Sequence, residues 1–172
     1  IFILITFSLQ AQYAYNVDKL AITSVPEIVV TAFNEDFPKA KVVRWELHTS
    51  QGENNTISKY VCIFDSPGKI RHRARYKENG AGISATGYFW FKAVKKLPAP
   101  IKKYCKTNHK EFKIWAGEKE ISLKNDQHAY RIKRRKDTSK ITIWLNDAGK
   151  MIEVKDLKKE WKLSETEKSP LK

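Results

Sequence analysis

The chain has 172 residues and a formal charge of +14, from 33 Lys and Arg against 19 Asp and Glu. That length allows one ordinary domain or two small ones, and 41% hydrophobic with 12% aromatic residues excludes global disorder. The charge directs attention to polyanionic partners: nucleic acid, an anionic membrane or glycan surface, or an acidic protein patch.

Residues 1–9, IFILITFSL, are apolar and uncharged, too short to span a bilayer, and lead into QAQYA. They read as the apolar core and small-residue exit of a secretory signal peptide, with cleavage near Ala11 removing 1–11 and leaving 12–23 as a linker. A buried first strand is the competing reading. Export places the chain in the periplasm or outside the cell, and sets cytosolic nucleic acid aside as a partner. No other stretch is apolar for long enough to cross a membrane as a helix.

Two segments then open alike, SVPEIVVTAFNEDFPKAKVVRW at 24–45 and KLPAPIKKYCKTNHKEFKIW at 96–115. With Pro26 set on Pro98, Val25, Val29, Ala32 and Phe33 fall on Leu97, Ile101, Tyr104 and Cys105, the spacing of one helix face. Ser24 and Glu27 have capping-box spacing, Pro26 suits a first helical turn, and Pro38 stops the helix. After each helix the apolar period shortens to two. Strands are expected at 42–48, 59–65, 69–80 and 83–91, then at 112–115, 129–135, 140–149 and 150–154. Turn sequences stand at 66–68, 78–80, 137–139 and 147–149, Tyr60 matches Tyr130, and YKENG at 76–80 matches LNDAG at 145–149. The fold class is α+β, in two tandem units at 24–95 and 96–155, each a helix on a four-stranded antiparallel sheet. The units pack on each other or form one continuous curved sheet. Residues 156–172 are a polar tail with a short helix around Trp161.

The stretch VPEIVVTAFNEDFPKAKVVRWE, the Tyr-led strand, the ENG and DAG hairpins and the second LP…IKKY helix resemble the PepSY-like, β-lactamase-inhibitor-like (BLIP-like) exported proteins of Bacteroidetes-type bacteria. The resemblance covers 24–155. It implies a periplasmic or secreted protein built of helix-plus-sheet units, with no established activity. Some members of the family are labelled calcium-regulated, and inhibitors of this architecture grip a partner protein with the open face of the sheet.

Catalytic and cofactor signals are lacking. His48, His72, His109 and His128 have no metal-site spacing, GISATG at 82–87 lacks the nucleophile-elbow pattern, and no glycine loop is suited to phosphate. Glu35 and Asp36 read as solvated helix surface. Asn146 and Asp147 fit a tight turn and lack the ligand series of a calcium loop. Cys62 and Cys105 suit either one disulfide or two small buried hydrophobes. No enzyme activity, cofactor or metal is expected.

Strand alternation assigns the binding candidates. Tyr130, Ile132, Ile141, Ile143 and Leu145 should face the helix, which leaves Arg131, Lys133, Arg135 and Trp144 on the open side. In the first unit His72, Ala74 and Tyr76 face in, and Arg71, Arg73 and Arg75 face out with Val61 and Ile63. In GYFWF at 87–91, Phe89 and Phe91 turn inward and Tyr88 and Trp90 outward, unless a bulge at Gly87 reverses them. Such a face is either a solvated surface or a recognition surface rich in Arg and Trp. The partner expected is an envelope or secreted protein with an acidic surface. The alternatives are an anionic envelope surface (lipopolysaccharide, membrane or polysaccharide) and a calcium-responsive periplasmic role.

Overall fold

The structure, a computed structural model, describes residues 15–51, 56–124 and 127–153. The expected leader at 1–11, the tail at 156–172 and Trp161 lie outside the described residues. Eight antiparallel strands form one sheet in sequence order: β1 (Tyr15–Leu20), β2 (Lys41–Gln51), β3 (Thr56–Asp65), β4 (Arg71–Tyr76), β5 (Gly82–Trp90), β6 (Lys113–Ser122), β7 (His128–Lys136) and β8 (Ser139–Leu145). Helix α1 (Glu27–Asp36) follows β1, and α2 (Ala99–Thr107) lies between β5 and β6. The strands are thus not divided into two separate four-stranded sheets, because β5 and β6 pair from Ser84–Ser122 to Trp90–Ala116.

Both helices form where their apolar spacing places them, and each builds its own cluster on the same sheet. Val25, Val29 and Phe33 pack with Trp45, Cys62, Phe64, Ala74, Tyr76 and Ala85. Phe33 is the hub, meeting Trp45, Phe64 and Tyr76 at ring-centroid distances of 5.4, 5.2 and 6.4 Å. Leu97, Ile101 and Cys105 pack with Phe89, Tyr130, Ile132 and Leu145. The hairpin glycines repeat as well. Gly80 (φ 79°) lies against the Ile28 carbonyl and Gly149 (φ 73°) against the Pro100 carbonyl, so each turn abuts the first turn of a helix.

Several expectations are corrected. Ser24 belongs to a 3-10 turn, Pro26 is the N-cap of α1, and no side chain caps this helix, so the capping box does not form. Part of the expected linker is β1, an edge strand paired to β2. The strand expected at 112–115 runs to Ser122, and the strand expected at 150–154 is reduced to one bridge between Leu145 and Met151. Phe91 has left the sheet for a 3-10 helix (Phe91–Lys96) and is 88% exposed instead of core. The bulge in β5 lies opposite Arg75 and Tyr76, not at Gly87. Gly87 instead makes room for His72, whose Nε2 would lie 2.8 Å from any added Cβ.

Candidate functional site

The register separates the two faces of the sheet. Trp45, Cys62, Ala74, Ala85 and Ile121 are successive cross-strand partners, and all pack under α1. The rows between them therefore lie on the side away from the helices. One row runs Asp65, Arg71, Tyr88, Glu118, Arg131, Trp144 across six strands. The next runs Arg44, Ile63, Arg73, Thr86, Glu120, Ala129. Arg75 lies beside these between Val61 and Ser84, and Trp90, Ala116, Lys133 and Thr142 form a further row.

This face is not uniformly basic. Glu46, Glu118 and Glu120 are buried within it. Arg131 Nε donates to Glu118 Oε2 at 2.6 Å, Lys133 Nζ to Glu118 Oε1 at 3.0 Å, and Arg131 also reaches Glu120 at 3.2 Å. Thr86 donates to Glu120 at 2.9 Å and receives Arg75 Nη1 at 3.1 Å. Burial pushes the Glu120 carboxyl above the usual range, against the pull of Arg131 and Thr86. Near β1 a second chain runs from Tyr15 OH to His48 Nδ1, from His48 Nε2 to Glu46 at 2.8 Å, and from Glu46 to Arg44 Nε at 2.7 Å. Burial opposes the charge on Glu46, but the bonds from His48 and Arg44 outweigh it and hold its carboxyl low. Burial, aided by Arg73 and Arg75, lowers His48 despite Glu46.

The candidate residues divide by occupation. Arg71 is engaged by Asp65 through two bonds at 2.6 and 3.2 Å. Arg131 stacks over Trp144 at 5.5 Å as well as binding glutamate. Trp144 is on the expected side but not open, being covered with Ala129 by Ile152. Tyr88 and Trp90 stack at 4.9 Å, and Trp90 stays half exposed. Arg135 is exposed and pairs across the sheet with Lys113 and Lys140. Arg73 differs from the rest, since its Nε is buried with no hydrogen-bond partner among the described residues.

Reading the sequence missed the three glutamates, and it also missed Arg134. Arg134 points to the helix side, 1% exposed, and binds backbone carbonyls at the end of α2. The available signal was the alternation Glu118-Lys119-Glu120, in a segment without the apolar spacing that marks a strand.

Reactive chemistry finds little support among the described residues. Cys62 and Cys105 are free, buried and in different clusters, and burial pushes the Cys62 thiol up to about 12. Among the described residues no group of three or more His, Cys, Asp or Glu side chains is placed to hold a metal. Asn146 spends its side-chain oxygen on the Lys150 N–H, and Asp147 binds His128, which fits the turn reading. No helix among the described residues is long and apolar enough to cross a membrane.

Fold and face together define a class: an α+β protein with two helices on one side of a single antiparallel sheet and a charged, aromatic-bearing surface on the other. Solved structures share this fold. A BLIP-like protein from Bacteroides fragilis matches with a TM-score of 0.57 at 10% identity, covering 74% of this chain and 82% of that one. A DUF2874 family protein from Bacteroides ovatus matches with a TM-score of 0.54 at 15% identity, covering 74% and 84%. A Bacteroides eggerthii protein provisionally described as periplasmic gives 0.52 at 16% identity, covering 75% and 86%. None of these descriptions names an enzymatic activity. No family model and no curated protein matches the sequence.

Proposed function

We propose that the chain is an exported, non-enzymatic binding module, periplasmic or secreted, that grips an acidic patch of a protein partner with the helix-free face of its sheet. The apolar segment at 1–11 and the fold shared with BLIP-like proteins support export and binding. The observation that carries the reading is Arg73. Arg73 is only part-buried, is held by no carboxylate among the described residues, and stands beside Arg75 and between Ile63 and Thr86, so its guanidinium is available to a carboxylate from outside. Tyr88, in the neighbouring row of the same face, adds a ring of the type that anchors protein interfaces.

The test is charge reversal. Immobilised protein should retain an acidic protein from an envelope extract at low salt, and Arg73→Glu should weaken that interaction by roughly thirtyfold, as loss of an arginine hot spot does. Retention that ignores Arg73→Glu, in a variant with an unchanged melting temperature, refutes the assignment.

A further inference from the structure

Three large aromatic side chains stand exposed at one end of the sheet. Trp90, the last residue of β5, pairs with Ala116, so their chain neighbours Phe91 and Trp115 lie at the same end of the β5–β6 pair. Trp90 is 48%, Phe91 88% and Trp115 43% exposed, and none belongs to a core cluster. Two backbone irregularities present them. Phe91 has φ 49°, a region bulky side chains avoid, and Trp115 is the extra residue of a bulge between Ile114 and Ala116. A bulky ring held exposed at a strained backbone position points to a use for the ring.

The surroundings are rich in lysine. Lys92, Lys95 and Lys96 follow Phe91 directly, and Lys113 precedes Trp115 on β6. Lys96 Nζ donates to the Gly68 carbonyl at 2.8 Å, which ties this end to a groove bordered by Lys39, Lys41 and Lys69. The opposite end of the sheet differs, for its hairpins set Lys77 and Lys150 against Glu78 and Asp147 and carry no exposed aromatic ring among the described residues. The helix-free face, with Arg, Tyr and Trp, has the composition of a protein interface, where lysine is depleted. The sheet end, with lysines around Trp and Phe, has that of a surface meeting lipid headgroups, where rings enter the interface and lysines lie over phosphates.

We propose that this end of the sheet docks the protein on an anionic phospholipid membrane, with Phe91 and Trp115 entering the headgroup layer and the surrounding lysines holding it there. The site is separate from Arg73, so the two readings can fail independently.

The experiment is co-sedimentation of the full chain with phosphatidylglycerol–phosphatidylcholine vesicles and with phosphatidylcholine alone. Quenching of tryptophan by brominated lipid gives a second readout. Binding to the anionic vesicles should fall with added salt and drop at least about tenfold in F91A/W115A, the scale expected for losing two partly inserted rings. Lys92→Glu/Lys95→Glu should weaken it further, and Arg73→Gln should leave it close to wild type. The apolar first residues are common to all variants, so binding equal to wild type in F91A/W115A overturns the proposal. So does the absence of binding to anionic vesicles, or binding confined to a soluble anionic polysaccharide.

Discussion

Replacing Arg134 with methionine removes a guanidinium that donates to the carbonyls of Cys105, Asn108, His109 and Phe112 at 2.6–2.7 Å. These carbonyls end α2 and line the turn beyond it, where His109 reverses the chain at φ 52°. A helix end leaves its last carbonyls without intrahelical donors and concentrates partial negative charge there, so one buried cation answers both needs. Methionine keeps most of the packing and none of the donors. Bonds from a charged donor contribute about 1.5–3 kcal/mol each, but here they share one group. The carbonyls of Asn108, His109 and Phe112 are only part-buried and can turn to water, whereas the bond to Cys105 is buried. The expected loss is therefore about 3–5 kcal/mol, a large fraction of the roughly 5–15 kcal/mol of a typical domain. At about 2–4 °C per kcal/mol for a chain of this size, the melting temperature should fall by about 10 °C. Urea and thermal unfolding followed by tryptophan fluorescence measure it, and hydrogen exchange in 99–109 should quicken. Arg134→Lys keeps the charge but not the fork, and should recover less than half the loss. A methionine variant within about 1 kcal/mol of wild type, or a lysine variant equal to it, would refute the clamp.

Gly149→Ala sets a Cβ 2.7 Å from the Pro100 carbonyl at φ 73°, and Gly80→Ala one 3.0 Å from the Ile28 carbonyl at φ 79°. Each should cost about 2 kcal/mol in urea melts, whereas Gly68→Ala, with nothing nearer than 4.0 Å, should be near neutral. Stability should also decline toward acid. Burial holds the native His48 and His72 below their ordinary 6.5, so the unfolded chain binds protons that the folded chain refuses. Their contribution is complete above about pH 6.5 and lost as pH falls through it toward the folded values, while Glu120, raised by burial, works in the opposite sense above its ordinary 4.5. Melting temperatures at pH 7.5 and 5.5 should differ less in His48→Gln than in wild type, and an unchanged difference would rule His48 out.

The helices were legible because their signal is dense. Val29 and Phe33, or Ile101 and Cys105, are one turn apart and fully or nearly buried, and the two glycine turns follow at matching places. The second half of β6 was illegible because its pattern is inverted. Its helix-side positions hold Gly117, Lys119 and Ile121, while Glu118 and Glu120 take the outer side and are still buried. Gly117 is there because Leu97 and Ile132 press on it, at 3.1 and 3.2 Å from a would-be Cβ, and Lys119 lies over the Tyr130 ring. Hydrophobic periodicity cannot register a strand whose inner face is a gap and a cation. Phe91 failed for a different reason. Alternation predicts facing only while the strand lasts, and β5 stops one residue earlier.

The unforeseen glutamates change what an acidic partner must look like. Counting cations alone spreads the attraction over both halves of the sheet, with Arg131, Lys133 and Trp144 as prominent as Arg73. In the structure Glu118 and Glu120 already occupy Arg131 and Lys133, and Ile152 covers Trp144. A partner carboxylate placed there would have to displace a buried ion pair, and gain little for the desolvation. At Arg73 it would instead meet a part-buried guanidinium that no carboxylate among the described residues holds. For the acidic partner proposed above, the favourable docking position therefore shifts toward β3, β4 and β5, between His48 on one side and Tyr88 on the other. On the β6–β7 pair Glu118 and Glu120 already hold Arg131 and Lys133, so charge reversal at Arg131 should disturb stability more than binding.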